Sequence, residues 1–150
     1  MSHDLPDLSD RSDLLRFASA AVDVHHHTRL AEGVPLSRSE LDDLHAHAVA
    51  LLALLDTATA RTRPHAPTAG DHLHNARLRL WQAGDHLHDA YHATPRPDGT
   101  KPTRDACASR LPDGAPDLTI CQRHSVAAAR LRQITTPTDL HAPAPGLLRR

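Results

Sequence analysis

The chain has 150 residues and a formal net charge of -1, and with one Phe, one Tyr, one Trp and one Met its core must be packed from Leu and Ala. That length fits one domain with a core of its own, and a near-neutral charge offers no basic stripe for neutralising nucleic-acid phosphates, so nucleic acid is not an expected partner. Val and Ile together number seven and never alternate as in a half-buried strand, and no stretch approaches the roughly 20 apolar residues of a membrane span.

The start, MSHDLPDLSD, has neither a basic region nor an apolar stretch, which predicts a soluble, cytoplasmic protein. A first helix is predicted over about 12–31, with Ser9 or Ser12 as cap and Leu14, Phe17, Ala21, Val24 and Thr28 on one stripe, ending at Gly33 and Pro35. A second follows Ser37, which forms a capping box with Glu40, and runs to about Arg61 through Leu41, Leu44, Ala48, Leu51, Leu52 and Leu55. The third spans about 70–92, with Leu73, Ala76, Leu80, Gly84, Leu87 and Tyr91 as its apolar stripe, and stops at Pro95 and Pro97. Residues 94–116 carry five prolines and two Asp-Gly turns, Asp98–Gly99 and Asp113–Gly114, and read as a long loop. A fourth helix opens at Thr119, in a second capping box with Gln122, and ends near Ile134. The expected fold is all-α: an antiparallel four-helix bundle in one domain over 1–138, with the Pro-rich loop before the last helix and a flexible tail over 139–150.

Within the third helix AGDHLHNA at 69–76 recurs as AGDHLHDA at 83–90, and the pair supplies four of the chain's 14 histidines. A shift of fourteen residues is close to four helical turns, so both copies present the same groups in nearly the same direction. His45 with His47, His72 with His74, and His86 with His88 are each two apart, about 200° around a helix, so neither member of a pair easily shares an ion with the other. On the third helix His72, Arg79 and His86 form one column flanking the apolar stripe. His74, Trp81, His88 and His92 form the other, and such positions suit a half-packed, half-solvated imidazole.

The second column also carries the sharper chemistry. His88 and His92 are four apart and can converge on one ion, with Asp85 and Asp89 one turn away as ligands or orienting groups. A third ligand must come from another helix, with His47 or His45 first in line and His25 to His27 behind. Imidazole with carboxylate suits zinc or another divalent transition metal, and three protein ligands with an open position can activate water. Cys107, Cys121 and His124 are a second, incomplete zinc set, and in a reducing compartment two free thiols are expected.

The His88–His92 pair with a histidine on the second helix is similar to metal-binding four-helix bundles of the DinB and hemerythrin kinds, although their other motifs are missing here. Arg79 and His86 have the loose spacing of helical HEPN ribonucleases, which would imply RNA cleavage through the histidine. More of the chain, through SELDDLHAHAVALLALLDTATARTRP, DHLHNARLRLWQAGDHLHDAYH and PDLTICQRH, resembles a family of short, uncharacterised actinobacterial proteins labelled as a domain of unknown function; that resemblance implies one compact domain and transfers no active site. No elbow glycines surround Ser125, no Gly-rich loop follows a strand, and Asp42 with Asp43 opposes a helix dipole, so no catalytic residue is assigned. The leading expectation is a non-enzymatic module that binds another protein or its own copy, with Trp81 and Tyr91 as aromatic anchors. The alternative is a metal-dependent, hydrolase-like enzyme built on His88, His92, His47, Asp85 and Asp89.

Overall fold

The computed structural model describes residues 8–101 and 119–134, which form four helices and no strand: α1 (Leu8–His27), α2 (Arg38–Thr62), α3 (Pro67–Ala93) and α4 (Ile120–Ile134). Cys107, the Asp113–Gly114 turn and the 139–150 tail lie outside the described residues. The chain divides into two compact units, residues 1–35 and 36–150. No described helix is long and apolar enough to cross a membrane.

In the first unit α1 begins at Leu8, so Ser9 and Ser12 lie inside it rather than capping it. Its end falls four residues earlier than the sequence predicts, because side chains there take the last carbonyls. Thr28 Oγ1 donates to the Val24 carbonyl at 2.7 Å, and Arg29 Nη1 donates to that of His26 at 2.7 Å. Leu14, Leu15, Phe17, Val22 and Val24 are all exposed.

In the second unit the local signals work as read. Ser37 accepts from the Glu40 backbone while Glu40 reaches back to the Ser37 amide, a complete capping box at the start of α2. Thr119 and Gln122 repeat the arrangement before α4, each reciprocal bond measuring 3.2 Å. Pro67 opens α3 at a position where its missing N–H is harmless. At the other end of α3 Arg38 Nη1 donates to the carbonyls of Tyr91 and Thr94, and its guanidinium lies 3.9 Å from the centre of the Tyr91 ring. A cation there also opposes the negative end of the helix dipole. The predicted Asp98–Gly99 turn forms, with Gly99 at φ +81° and Asp98 accepting from the Thr100 amide and hydroxyl.

The contacts of α2 with α3 run in opposite order along the two helices: Arg38 with Tyr91, His45 with His88, Asp56 with Arg77, and Arg63 with Gly70. Gly70 makes this hairpin close tightly, since a Cβ there would stand 2.5 Å from the Cα of Arg63. Against this pair lies α4, with Cys121 near His92, His124 near His88, and Arg130 near Asp56.

Among the described residues the core is nearly as polar as it is apolar. Leu41, Ala48, Leu52, Leu78, Ile120, Cys121, Ala127 and Leu131 are buried, and so are His45, Asp56, Thr59, His74, Arg77, His88 and His124. This corrects the orientation expected for α3. Its buried residues are Gly70, His74, Arg77, Leu78, Gly84 and His88, whereas Leu73, Leu80, Leu87 and Tyr91 of the predicted stripe are only half-buried and Ala76 is exposed. The cause is that α3 is covered by α2 and α4 together, so its covered face extends over the His74–Trp81–His88 flank and the imidazoles there are enclosed rather than half-solvated. On the other flank Arg79 is half-buried as expected, while His72 and His86 are exposed rather than half-packed.

Candidate metal centre

Where the second copy of the repeat meets α4, imidazoles from three helices gather. The rings of His88 and His124 stack with centroids 4.4 Å apart, and the His45 ring lies 5.5 Å from that of His124. His92 Nε2 is 3.2 Å from His88 Nε2 and 3.5 Å from Cys121 Sγ. Two groups of three therefore present ligand atoms within 4.8 Å of one another, His88 with His92 and Cys121, and Asp85 with His88 and His124.

Two of the three edges of the first group match those of a coordination site. Zinc bonds of roughly 2.05 Å to nitrogen and roughly 2.3 Å to sulfur place the corners of a tetrahedron roughly 3.3 Å apart for two nitrogens and roughly 3.6 Å apart for nitrogen and sulfur. The distances of 3.2 and 3.5 Å are close to both edges. The thiol of Cys121 is free and buried, and His92 is half-buried, so the group sits just under the surface.

The second group is tied into a directed chain of hydrogen bonds. Arg123 Nη1 can only donate, so at 3.3 Å from His45 Nδ1 it makes that nitrogen an acceptor and puts the His45 proton on Nε2. His45 Nε2 then donates to His124 Nδ1 at 3.4 Å, which leaves the His124 proton on Nε2, facing Asp85 Oδ1 at 3.0 Å. The chain runs from a guanidinium to a carboxylate through two imidazole rings, and Asp42 anchors its cationic end by accepting from Arg123 at 2.7 Å. Burial pushes the His45 pKa down to about 4, with His124 and Arg123 also opposing a charge on the ring. Neutral His45 is what the donated bond from Arg123 requires.

Of the residues singled out from sequence, His88 joins both groups, His92 the first and Asp85 the second. His47 does not join them: it is exposed on α2, and His45, two positions earlier on the opposite side of the helix, is the histidine that α2 contributes. Asp89 is likewise exposed. Cys121 and His124, read from sequence as partners of Cys107, meet His92 and His88 instead. The signal for His45 was present, since Leu41, His45, Ala48 and Leu52 follow the spacing of one buried stripe. Trp81 and Tyr91 are half-buried, Trp81 stacked on His124 with centroids 6.0 Å apart and Tyr91 under Arg38. Trp81 Nε1 is buried without a hydrogen-bond partner among the described residues. Arg79 is half-buried and His86 exposed.

No curated protein and no solved structure matches the chain. A family model does match it, over residues 1–150, and the chain belongs to that family, a family of unknown function (DUF6238).

Proposed function

We propose that the α2–α4 unit binds a divalent transition metal of the zinc class through His88, His92 and Cys121. The observation that carries this reading is the convergence of two imidazole nitrogens and a thiol sulfur from two helices within 4.8 Å. Imidazole with thiolate is a donor set that favours zinc or copper over the hard cations. Three protein ligands leave a fourth position to water, and hydrolysis by that water is the catalytic extension of the same reading. His124, itself paired with Asp85, stacks on His88 and steadies its ring plane.

The test is the metal content of untagged protein purified without a nickel column, followed by replacement with cobalt(II). About one equivalent of a single metal is expected, with a thiolate-to-cobalt charge-transfer band that disappears in Cys121→Ser and persists in His86→Ala. Absence of stoichiometric metal, or a cobalt spectrum indifferent to Cys121→Ser, overturns the reading.

A second reading, that the chain binds a protein partner or its own copy, is supported by the exposed Leu14, Leu15, Phe17, Val22 and Val24 of α1 rather than by Trp81 and Tyr91. Sedimentation of the full chain against a Leu15→Glu, Val22→Glu variant tests it for self-association: concentration-dependent assembly lost in the variant supports it.

A further inference from the structure

The first copy of the repeat faces different chemistry. His74 and Arg77 of α3, Asp56 of α2, Arg63 at the hairpin turn and Arg130 of α4 line a cleft of about 470 Å³, within the size range of small-ligand sites. Three guanidinium groups there face one carboxylate. Asp56 is shared between two of them: its Oδ1 accepts from Arg77 Nη1 at 3.1 Å and its Oδ2 from Arg130 Nε at 2.8 Å. Arg63 is paired outside the cleft, with Asp71 at 2.8 Å. Even counting Asp71, the neighbourhood keeps an excess positive charge.

The donors are also arranged for an anion. Arg130 touches Asp56 through Nε alone, so its two terminal amino groups make no hydrogen bond among the described residues, and its side chain is 62% exposed. Arg63 uses Nε and Nη2 on Asp71 and keeps Nη1. Behind them Arg77, only 4% exposed, is held in place by Asp56 and by His74, whose Nδ1 accepts from Nη2 at 2.7 Å. That bond puts the His74 proton on Nε2. A guanidinium fork matches the oxygens of a phosphate group better than any other common biological anion except carboxylate, and a dianion best offsets an excess of cations.

We infer that this cleft binds a phosphate group, anchored by Arg130 and Arg63 and backed by Arg77, with room beside it for the body of a small phosphate ester. The proposal is independent of the metal reading, because it uses none of the same residues.

The test is calorimetric titration of the full chain with inorganic phosphate and with adenosine monophosphate, at constant ionic strength set with chloride. Saturable binding at about 1 mM or tighter is expected, weakened about tenfold or more in Arg130→Gln and in Arg63→Gln, as for loss of a charged hydrogen bond. Arg96→Gln, an exposed arginine outside the cleft, is expected to bind as the parent does. Tighter binding of the nucleotide identifies an ester as the ligand, and equal binding identifies free phosphate; both support the site. No saturable phosphate binding, or binding equal in the parent and in both cleft variants, overturns it.

Discussion

Gly70 and Gly84 hold the same place in the two copies of the repeat, yet replacing each with Ala is expected to shift stability in opposite directions. At Gly70 the new methyl would stand 2.5 Å from Arg63 Cα and 2.6 Å from Arg63 Cβ, and the first of these is backbone that no side-chain rotation can move aside. Carbon atoms settle at about 3.5–4.0 Å, so the hairpin must open by about 1 Å. Overpacking of that kind costs about 1–3 kcal/mol, against which Ala returns at most about 1 kcal/mol of helix propensity. At Gly84 a Cβ meets nothing within 4 Å, so only the propensity term remains and a gain of about 0.5–1 kcal/mol is expected. Urea unfolding followed by far-UV circular dichroism separates the two cases, since a difference of about 2 kcal/mol moves the midpoint by about 1 M. Equal midpoints, or a stabilised Gly70→Ala, would refute the close approach of Arg63 to α3.

Three further outcomes follow from the buried polar groups. The His45 pKa falls from 6.5 to about 4 in the folded chain, so between those values the unfolded state takes up a proton that the native state does not. Stability is therefore complete above about pH 6.5 and declines towards pH 4. The linkage amounts to about 2 kcal/mol between pH 7 and pH 5, and in metal-free protein a His45→Gln variant should lose that share of the pH dependence; an unchanged slope would contradict the burial of a neutral ring. Asp56→Leu removes the carboxylate that pairs with the buried Arg77 and is expected to cost about 3–5 kcal/mol, while the double variant Asp56→Leu, Arg77→Leu recovers much of the loss, as a double-mutant cycle would measure. Chelation should lower the melting temperature of protein carrying zinc and leave Cys121→Ser unmoved; identical shifts in both would place the metal elsewhere.

The starts of α2 and α4 were legible because their signals are local chemistry, whereas neither end of α1 was. Ser37 with Glu40 and Thr119 with Gln122 carry donor and acceptor within one turn, and both boxes form. The direction in which α3 faces was not legible. A hydrophobicity pattern assigns imidazole and guanidinium to the surface, so it turns the helix towards Leu73, Leu80 and Leu87 and away from His74, Arg77 and His88. Those three are buried next to groups contributed by other helices: Asp56, 21 residues from Arg77, and His45, 79 residues from its own partner His124. No periodicity within one helix reports such partners.

The same reasoning explains why one octapeptide serves two chemistries. In both copies the glycine and the second histidine are buried, the first histidine is exposed, and the aspartate reaches a neighbouring segment, Asp71 to Arg63 and Asp85 to His124. The repeat thus sets direction, which follows from helix geometry alone. What each copy can bind is set by what faces it. Opposite His88 stand His45, His124 and Cys121, two imidazoles and a thiol suited to a cation. Beside His74 on the same helix stands Arg77, and across the cleft stand Arg130 and Arg63, permanent cations suited to an anion. Exchanging the partners across the two copies, for example by Arg130→His, should therefore weaken phosphate binding without creating a metal site. The single new imidazole would still lack the thiol and the second histidine that His88 finds in Cys121 and His92. Cobalt titration of Arg130→His, with the spectrum unchanged from that of the parent, is the outcome that fits; a second cobalt site would show that the repeat itself, and not its partners, carries the chemistry.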